Sequence, residues 1–358
     1  MHLRLKEIHQ LKNCKLKNYR KKFEAGAFLE TWLVKENKLF VRKQGDVKSE
    51  KQYCEDIIKG QYQWLKLALK NKLNVPKTLK QGKNNKINFY DMEYIHPSKT
   101  LHKFLHKKNK DKIYKNLFYN IKKLYDKNYQ IKKKNFNLYN QLYKEKIIPS
   151  IYSLKNKPLG KKILKEKNFF INGEKNLNLL DSLNLIKKKG NIYLKNINNN
   201  FDNRRKTYAH GDLTFENILV KKNKLYFIDP YGGNVDCNSK NNFFFKTTIM
   251  FDIGKICQSA ISRYENWKNI KSLKKFYNKG KITIRKINND DIKFLKLLND
   301  NFGKGNKHFK KIAVLHMIVH ICRLIKYRSK HNFISAVYAY FMATYWINRL
   351  IKKSDVIK

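Results

Sequence analysis

The chain has 358 residues, 42% hydrophobic and 13% aromatic, enough apolar material for a large packed core and too much for a disordered polymer. Its formal charge of +53, from 80 basic against 27 acidic residues, points to anionic partners. Only ten of the 80 are arginines, leaving 70 lysines; nucleic-acid sites favour arginine for bidentate contacts, so the balance reads as AT-biased codon usage and argues against a specific nucleic-acid partner.

Along the chain, the opening MHLRLKEIHQLKNCK has no apolar h-region, so no secretory signal is expected. Five scattered cysteines (Cys14, Cys54, Cys237, Cys257, Cys322) form no CxxC pair and read as reduced thiols of a cytoplasmic protein. Residues 16–34 and 38–43 predict strands, with FLETWLV and KLFVRK joined by a turn at Lys35-Glu36-Asn37. Ser49 followed by Gln52 fits a capping box opening a helix through about Leu69, softened at Gly60 and ended by Asn74-Val75-Pro76. INFYDMEYI predicts one more strand. From His96 onward, Lys-, Leu- and Tyr-rich stretches with helical spacing dominate, with an exposed connection at 192–207. The run Asn332 to Asn348 is free of charge but short for a membrane span and carries three tyrosines, so a buried helix is expected. The fold class is therefore α+β, with an N-terminal β-rich lobe over residues 1–95 and a helical lobe over 96–358.

The chemistry concentrates in Tyr208-Ala-His-Gly-Asp-Leu-Thr-Phe-Glu-Asn-Ile-Leu-Val220, followed by KKNK and Leu-Tyr-Phe-Ile-Asp229-Pro. Phosphoryl transfer needs a carboxylate to orient an attacking hydroxyl and oxygen ligands to hold Mg²⁺ on nucleotide phosphates. His-x-Asp-x₄-Asn supplies Asp212 and the Asn217 amide on one short loop. ILV, a Lys/Asn turn and LYFI then predict a hairpin that returns Asp229 beside Asn217, so that two metal ligands converge. An isolated Asp or Asn after glycine is usually a turn residue; two such loops in order, each flanked by apolar runs, favour function.

HGDLTFEN followed by IDP resembles the catalytic and metal-binding loops of the aminoglycoside phosphotransferase and choline kinase superfamily, which has a bilobal protein-kinase-like fold with a small antiparallel-sheet N-lobe. The resemblance implies that Asp212 is the catalytic base, that Asn217 and Asp229 bind Mg²⁺, and that His210 supports the loop. It further implies an ATP site built from Lys43 late in the third strand, paired with Glu55 in preference to Glu50. Gly26 would lie in a phosphate-covering loop, and backbone groups at Glu93 and Ile95 in an adenine hinge. Asp252 in FDIGKICQS would brace the catalytic loop, its bland alternative being a helix N-cap. The bland alternative for Lys43 is a surface lysine, but its place after an apolar strand favours the site, and strand period two sends Arg42 to the opposite face. Neither GxGxxG nor a Walker A sequence occurs, so Rossmann and P-loop sites lose support.

Gly211 stands where regulated protein kinases carry an arginine, and no Ala-Pro-Glu follows Asp229, so a small-molecule or glycan acceptor is expected in place of a protein. With so few acidic residues the acceptor is expected to be neutral or anionic. HGDLTFENIL with DIGKICQS also resembles uncharacterised bacterial phosphotransferases associated with surface polysaccharide. The competing class is a basic protein on the same fold that binds nucleic acid or an anionic membrane surface, the latter weakly; retention of Asp212, Asn217 and Asp229 together favours the enzyme.

Overall fold

The computed structural model describes residues 19–23, 29–45, 51–84, 87–105, 110–125, 130–132, 146–188, 205–232, 246–247, 249–278, 281–303 and 306–352. Gly26, Ser49, Glu50 and residues 192–204 lie outside them, so the phosphate-covering loop, the capping box and most of the exposed connection stay expectations; residues 205–207 of that connection instead belong to a short strand, Arg205–Tyr208. The chain divides into two compact units, residues 1–130 with 207–247 and residues 131–206 with 248–358. The division does not fall at His96, because segments far along the chain are stitched to the first unit by backbone pairing.

The first unit is built on a five-stranded antiparallel sheet of β1 (Tyr19–Phe23), β2 (Leu29–Lys35), β3 (Leu39–Gly45), β4 (Thr78–Asn84) and β5 (Ile87–Glu93), in the order β1-β2-β3-β5-β4. Register sets the faces. Thr31 pairs with Lys43 and Lys43 with Tyr90, so these three share one face; Arg42 and Asp91, also paired, share the other. On that other face Arg42 makes a bidentate bond to Asp91 at 2.7 and 2.8 Å and lies over the Phe89 ring, 4.2 Å from its centroid. β4 was not foreseen. Its TLKQGKN has no apolar alternation because it is an edge strand, and lysines there discourage further pairing.

α1 (Lys51–Lys70) runs unbroken through Gly60. It buries Ile57, Ile58, Gln61, Trp64, Leu65 and Ala68, the i, i+4, i+7 spacing of one helical face, against the sheet. β6 (Lys99–Thr100), α2 (Leu101–Leu105) and α3 (Lys110–Leu124) follow. The expected hairpin forms as β7 (Ile218–Lys221) and β8 (Lys224–Phe227), and its turn residues Lys222 and Asn223 both take positive φ, 46° and 62°. β7 pairs with β6, and the Phe227 N–H donates to the Asn74 carbonyl at 3.0 Å; these bonds fasten the hairpin to the first unit.

The second unit is mainly helical. Its principal helices are α4 (Ile249–Ala260), α5 (Asn289–Phe302), α6 (Phe309–His331) and α7 (Phe333–Ile351), with α6 packed between α4 and α7. The charge-free run becomes α7, and Val337 through Ile347 are buried throughout. Asn348 on α7 exchanges two hydrogen bonds with the Leu177 backbone, at 2.9 and 3.0 Å, fixing a small hairpin of residues 168–177. Among the described residues no helix is long and apolar enough to cross a membrane.

Candidate active site

His210 follows the short strand Arg205–Tyr208 and is fully buried, edge-on to Trp64 of α1 with ring centroids 5.0 Å apart. Its Nε2 meets the Ile228 carbonyl at 2.9 Å, while Nδ1 accepts the Asp212 N–H at 3.3 Å. A carbonyl can only accept and an amide N–H can only donate, so the pair is satisfied by the tautomer with its proton on Nε2. The ring thus joins the two loops. Gly211 makes the reversal possible, since its φ of 80° is a conformation that a side chain would strain. The glycine that replaces a kinase arginine is accordingly a backbone requirement here.

Asp212 is held from its far side. Its carbonyl accepts the Thr214 N–H and Asn217 Nδ2, both at 2.8 Å, and its Oδ2 accepts Asn217 Nδ2 at 2.9 Å. With Nδ2 spent on Asp212, the Asn217 Oδ1 is the end of the amide offered to a cation. The turn Phe215–Asn217 is closed by Asn217 N–H to Thr214 O at 3.0 Å and anchored by buried Leu213 and Phe215. Where the hairpin closes, Ile228 N–H donates to Asn217 O at 2.9 Å, and Asp229 follows directly. Asp229 has φ 58°, the left-handed region that Asp and Asn tolerate best.

Lys43 and Asp229 meet in an ion pair through Nζ and Oδ1. Lys43 is 5% exposed and the Asp229 side chain 28%. A buried ammonium needs a counter-charge, and Asp229 provides it. Asp229 Oδ1 is itself buried, and among the described residues it has no hydrogen-bond partner beside this pair. Among the described residues no three His, Cys, Asp or Glu side chains gather as a metal site. The oxygen set of Asp229 and Asn217 fits a hard cation such as Mg²⁺ that completes its shell with phosphate or water.

The structure does not bring Glu55 to Lys43. Glu55 points toward β4, its carboxylate 3.9 Å from Lys83 Nζ, because the helix carries it to that edge of the sheet while Asp229 takes Lys43. At the end of β5, Glu93 N–H donates to Lys77 O at 2.8 Å, and the Ile95 carbonyl accepts Ser98 Oγ at 2.6 Å. Tyr94 and His96 stack beside them at 5.2 Å. Asp252 is fully buried in the first turn of α4, in the second unit, inside the helix and not at its cap. Sequence reasoning missed Gln61 and Trp64, which reach Pro230 and His210 from α1, and Tyr90, which donates to Gln61 from β5; nothing in their local pattern distinguishes them from core residues.

The sequence matches no family model and no curated protein. In structure the chain is similar to the GDP complex of wild-type aminoglycoside 2′-phosphotransferase-IIIa, with a TM-score of 0.58 at 14% identity over 94% of this chain and 96% of that one. The fold is that of the aminoglycoside phosphotransferases. The GDP and kanamycin complex of APH(2″)-IIIa gives 0.54 at 12% identity over 97% and 94% of the two chains. A candidate fructosamine-3-kinase from Haemophilus somnus 129PT gives 0.51 at 13% identity over 96% and 94%. This aminoglycoside-phosphotransferase fold has the five-stranded antiparallel sheet and mostly helical C-terminal part seen here.

Proposed function

We propose that the protein is an ATP-dependent phosphotransferase that moves the γ-phosphate to a hydroxyl of a small molecule or glycan precursor. The observation that carries this reading is the union of Lys43, from the sheet, with Asp229, whose loop is bonded to Asn217 and through it to Asp212. Asp212, Asn217, Asp229 and the buried Lys43 ammonium lie on one continuous network, which suits the carboxylate, oxygen ligands and cation that phosphoryl transfer requires. The fold shared with small-molecule kinases supports the same reading.

In this mechanism Lys43 Nζ holds the nucleotide phosphates, and the backbone at Glu93 and Ile95 meets the nucleobase edge. Asp229 and Asn217 Oδ1 would hold Mg²⁺, which would supply charge neutralisation at the phosphates. Asp212 orients the acceptor hydroxyl and takes its proton, and His210 keeps both loops in register. A phosphoryl group carries negative charge wherever it is transferred, and a chain with 80 basic and 27 acidic residues suits a neutral or anionic acceptor better than a polycation.

Two variants separate the roles. Asp229→Asn removes a charged ligand and should weaken Mg²⁺-dependent nucleotide binding and turnover together. Asp212→Asn offers Asn217 Nδ2 an equivalent oxygen, so nucleotide binding should persist. Turnover should fall by about 10²–10⁴-fold, as for other positioned general bases. The measurements are equilibrium nucleotide binding and acceptor-dependent ADP release over a panel of sugars and amino alcohols. Loss of nucleotide binding in Asp212→Asn with full turnover in Asp229→Asn would overturn the assignment.

A further inference from the structure

Asp229 is held in a conformation its own sequence disfavours. Its φ is 58°, and it precedes Pro230, whose ring pushes the preceding residue toward extended backbone with negative φ. Something outside the loop must hold it, and α1 supplies two contacts. Gln61 Nε2 donates to the Pro230 carbonyl at 2.7 Å. Gly232, at φ 68°, lies so close that a Cβ there would stand 2.5 Å from the Ile57 carbonyl and 2.7 Å from the Gln61 nitrogen.

Both ends of the Gln61 amide are engaged. The Pro230 carbonyl can only accept, so Nε2 must face it; Oε1 then faces Tyr90, whose hydroxyl donates at 2.9 Å. Tyr90 is fully buried and pairs across the ladder with Lys43. Burial and, secondarily, the Asp229 charge hold its phenol well above the usual range, so it stays a donor. One side chain therefore bridges the strand that flanks Lys43 and the residue that follows Asp229. The Tyr90–Gln61–Pro230 relay thus ties together the two segments that carry the Lys43–Asp229 pair.

We infer that Gln61 is a positioning residue: through the Pro230 carbonyl it keeps Asp229 in its left-handed conformation opposite Lys43, and the affinity for Mg²⁺-nucleotide depends on it although it touches neither. The structural half stands on the hydrogen bonds; the nucleotide half rests on the proposed function, and the two are tested separately.

The first arm uses the full-length protein without nucleotide. Gln61→Met keeps the volume and removes both bonds, and Gln61→Glu keeps the acceptor for Tyr90 while losing the donor to Pro230. In both, amide exchange at Ile228 and Tyr231 should rise about tenfold, the effect of losing the buried hydrogen bond to Pro230 that the two variants share, with exchange in α6 and α7 unchanged. Should Gln61→Met fail to fold, Gln61→Asn, which is too short to span both partners, decides the point. Wild-type exchange at Ile228 and Tyr231 in the folded variants would overturn the inference.

The second arm measures binding of a fluorescent ATP analogue in EDTA and in Mg²⁺. The variants should lose roughly tenfold in the Mg²⁺-dependent increment and under threefold in EDTA, a split that general destabilisation does not produce. Tyr90→Phe should add nothing to Gln61→Met, since both break one relay. An undiminished Mg²⁺ increment in the variants sinks the nucleotide half of the inference. Wild-type protein that binds no nucleotide in either condition, with the exchange result intact, refutes the proposed function and leaves the loop-positioning role standing.

Discussion

Replacing Asp229 with asparagine keeps the side-chain shape and the tolerance for φ 58°, and removes only the charge facing Lys43. Deleting one partner of a fully buried ion pair costs about 3–5 kcal/mol, and an exposed pair contributes about 0–1 kcal/mol. Here Lys43 is 5% exposed and the Asp229 side chain 28%, so Asp229→Asn should cost about 2 kcal/mol, most of it from stranding a buried ammonium. Lys43→Met strands a carboxylate that water can reach and should cost about 1 kcal/mol. The double variant strands no charge and should also cost about 1 kcal/mol, giving a coupling energy near 2 kcal/mol. The assay is urea unfolding of the four proteins, with the m-value checked for constancy because the chain has two compact units. Repeating it in 1 M salt should leave most of the coupling, since a buried pair is poorly screened. A coupling energy below about 0.5 kcal/mol would refute the reasoning, because it would mean that the Lys43 ammonium is solvated and does not depend on Asp229.

Two further outcomes concern the helical unit. His320 is depressed well below the usual histidine range, by burial first and then by Lys255 and Arg323, against the opposing bond from its ring to the Phe251 carbonyl, with His316 adding a small further depression. Its unfolded form binds a proton below about pH 6.5 that the folded form refuses, so stability is complete above that pH and falls on acidification by about 1.4 kcal/mol per pH unit; His320→Gln should flatten that slope in urea titrations between pH 6.5 and 5, and an unchanged slope would exclude His320 as its source. Gly254→Ala would place a Cβ 2.6 Å from His316 Cβ and 2.9 Å from His320 Cδ2, so it should lower stability by about 1–2 kcal/mol despite the better helix propensity of alanine; a raised melting temperature would show that α4 and α6 pack less closely.

The sequence alone determined whatever is encoded within a few contiguous residues. The β7–β8 hairpin was legible because two apolar runs flank a Lys/Asn turn, and turn chemistry is local. The placing of Asp212, Asn217 and Asp229 on adjoining loops was legible because loop spacing and a hairpin fix which backbone segments meet. The opposite facing of Lys43 and Arg42 followed from the two-residue period of a strand. The buried C-terminal helix was legible because its apolar run is too polar for lipid and too apolar for water.

Tertiary structure decided the rest, because those facts depend on which distant segments meet. The lysine-rich edge strand β4 is stabilised by pairing with β5, not by an apolar pattern of its own. Lys43 meets Asp229, a residue of the hairpin loop, and not Glu55, which lies twelve residues away on α1. Residues 207–247 join the first unit for the same reason, since Ile218–Phe227 is bonded back to Asn74 and β6. Gln61 and Pro230 are 169 residues apart, and no periodicity or motif registers a bond of that range. It exists only once α1 and the Asp229 loop have packed so closely that Gly232 alone fits between them.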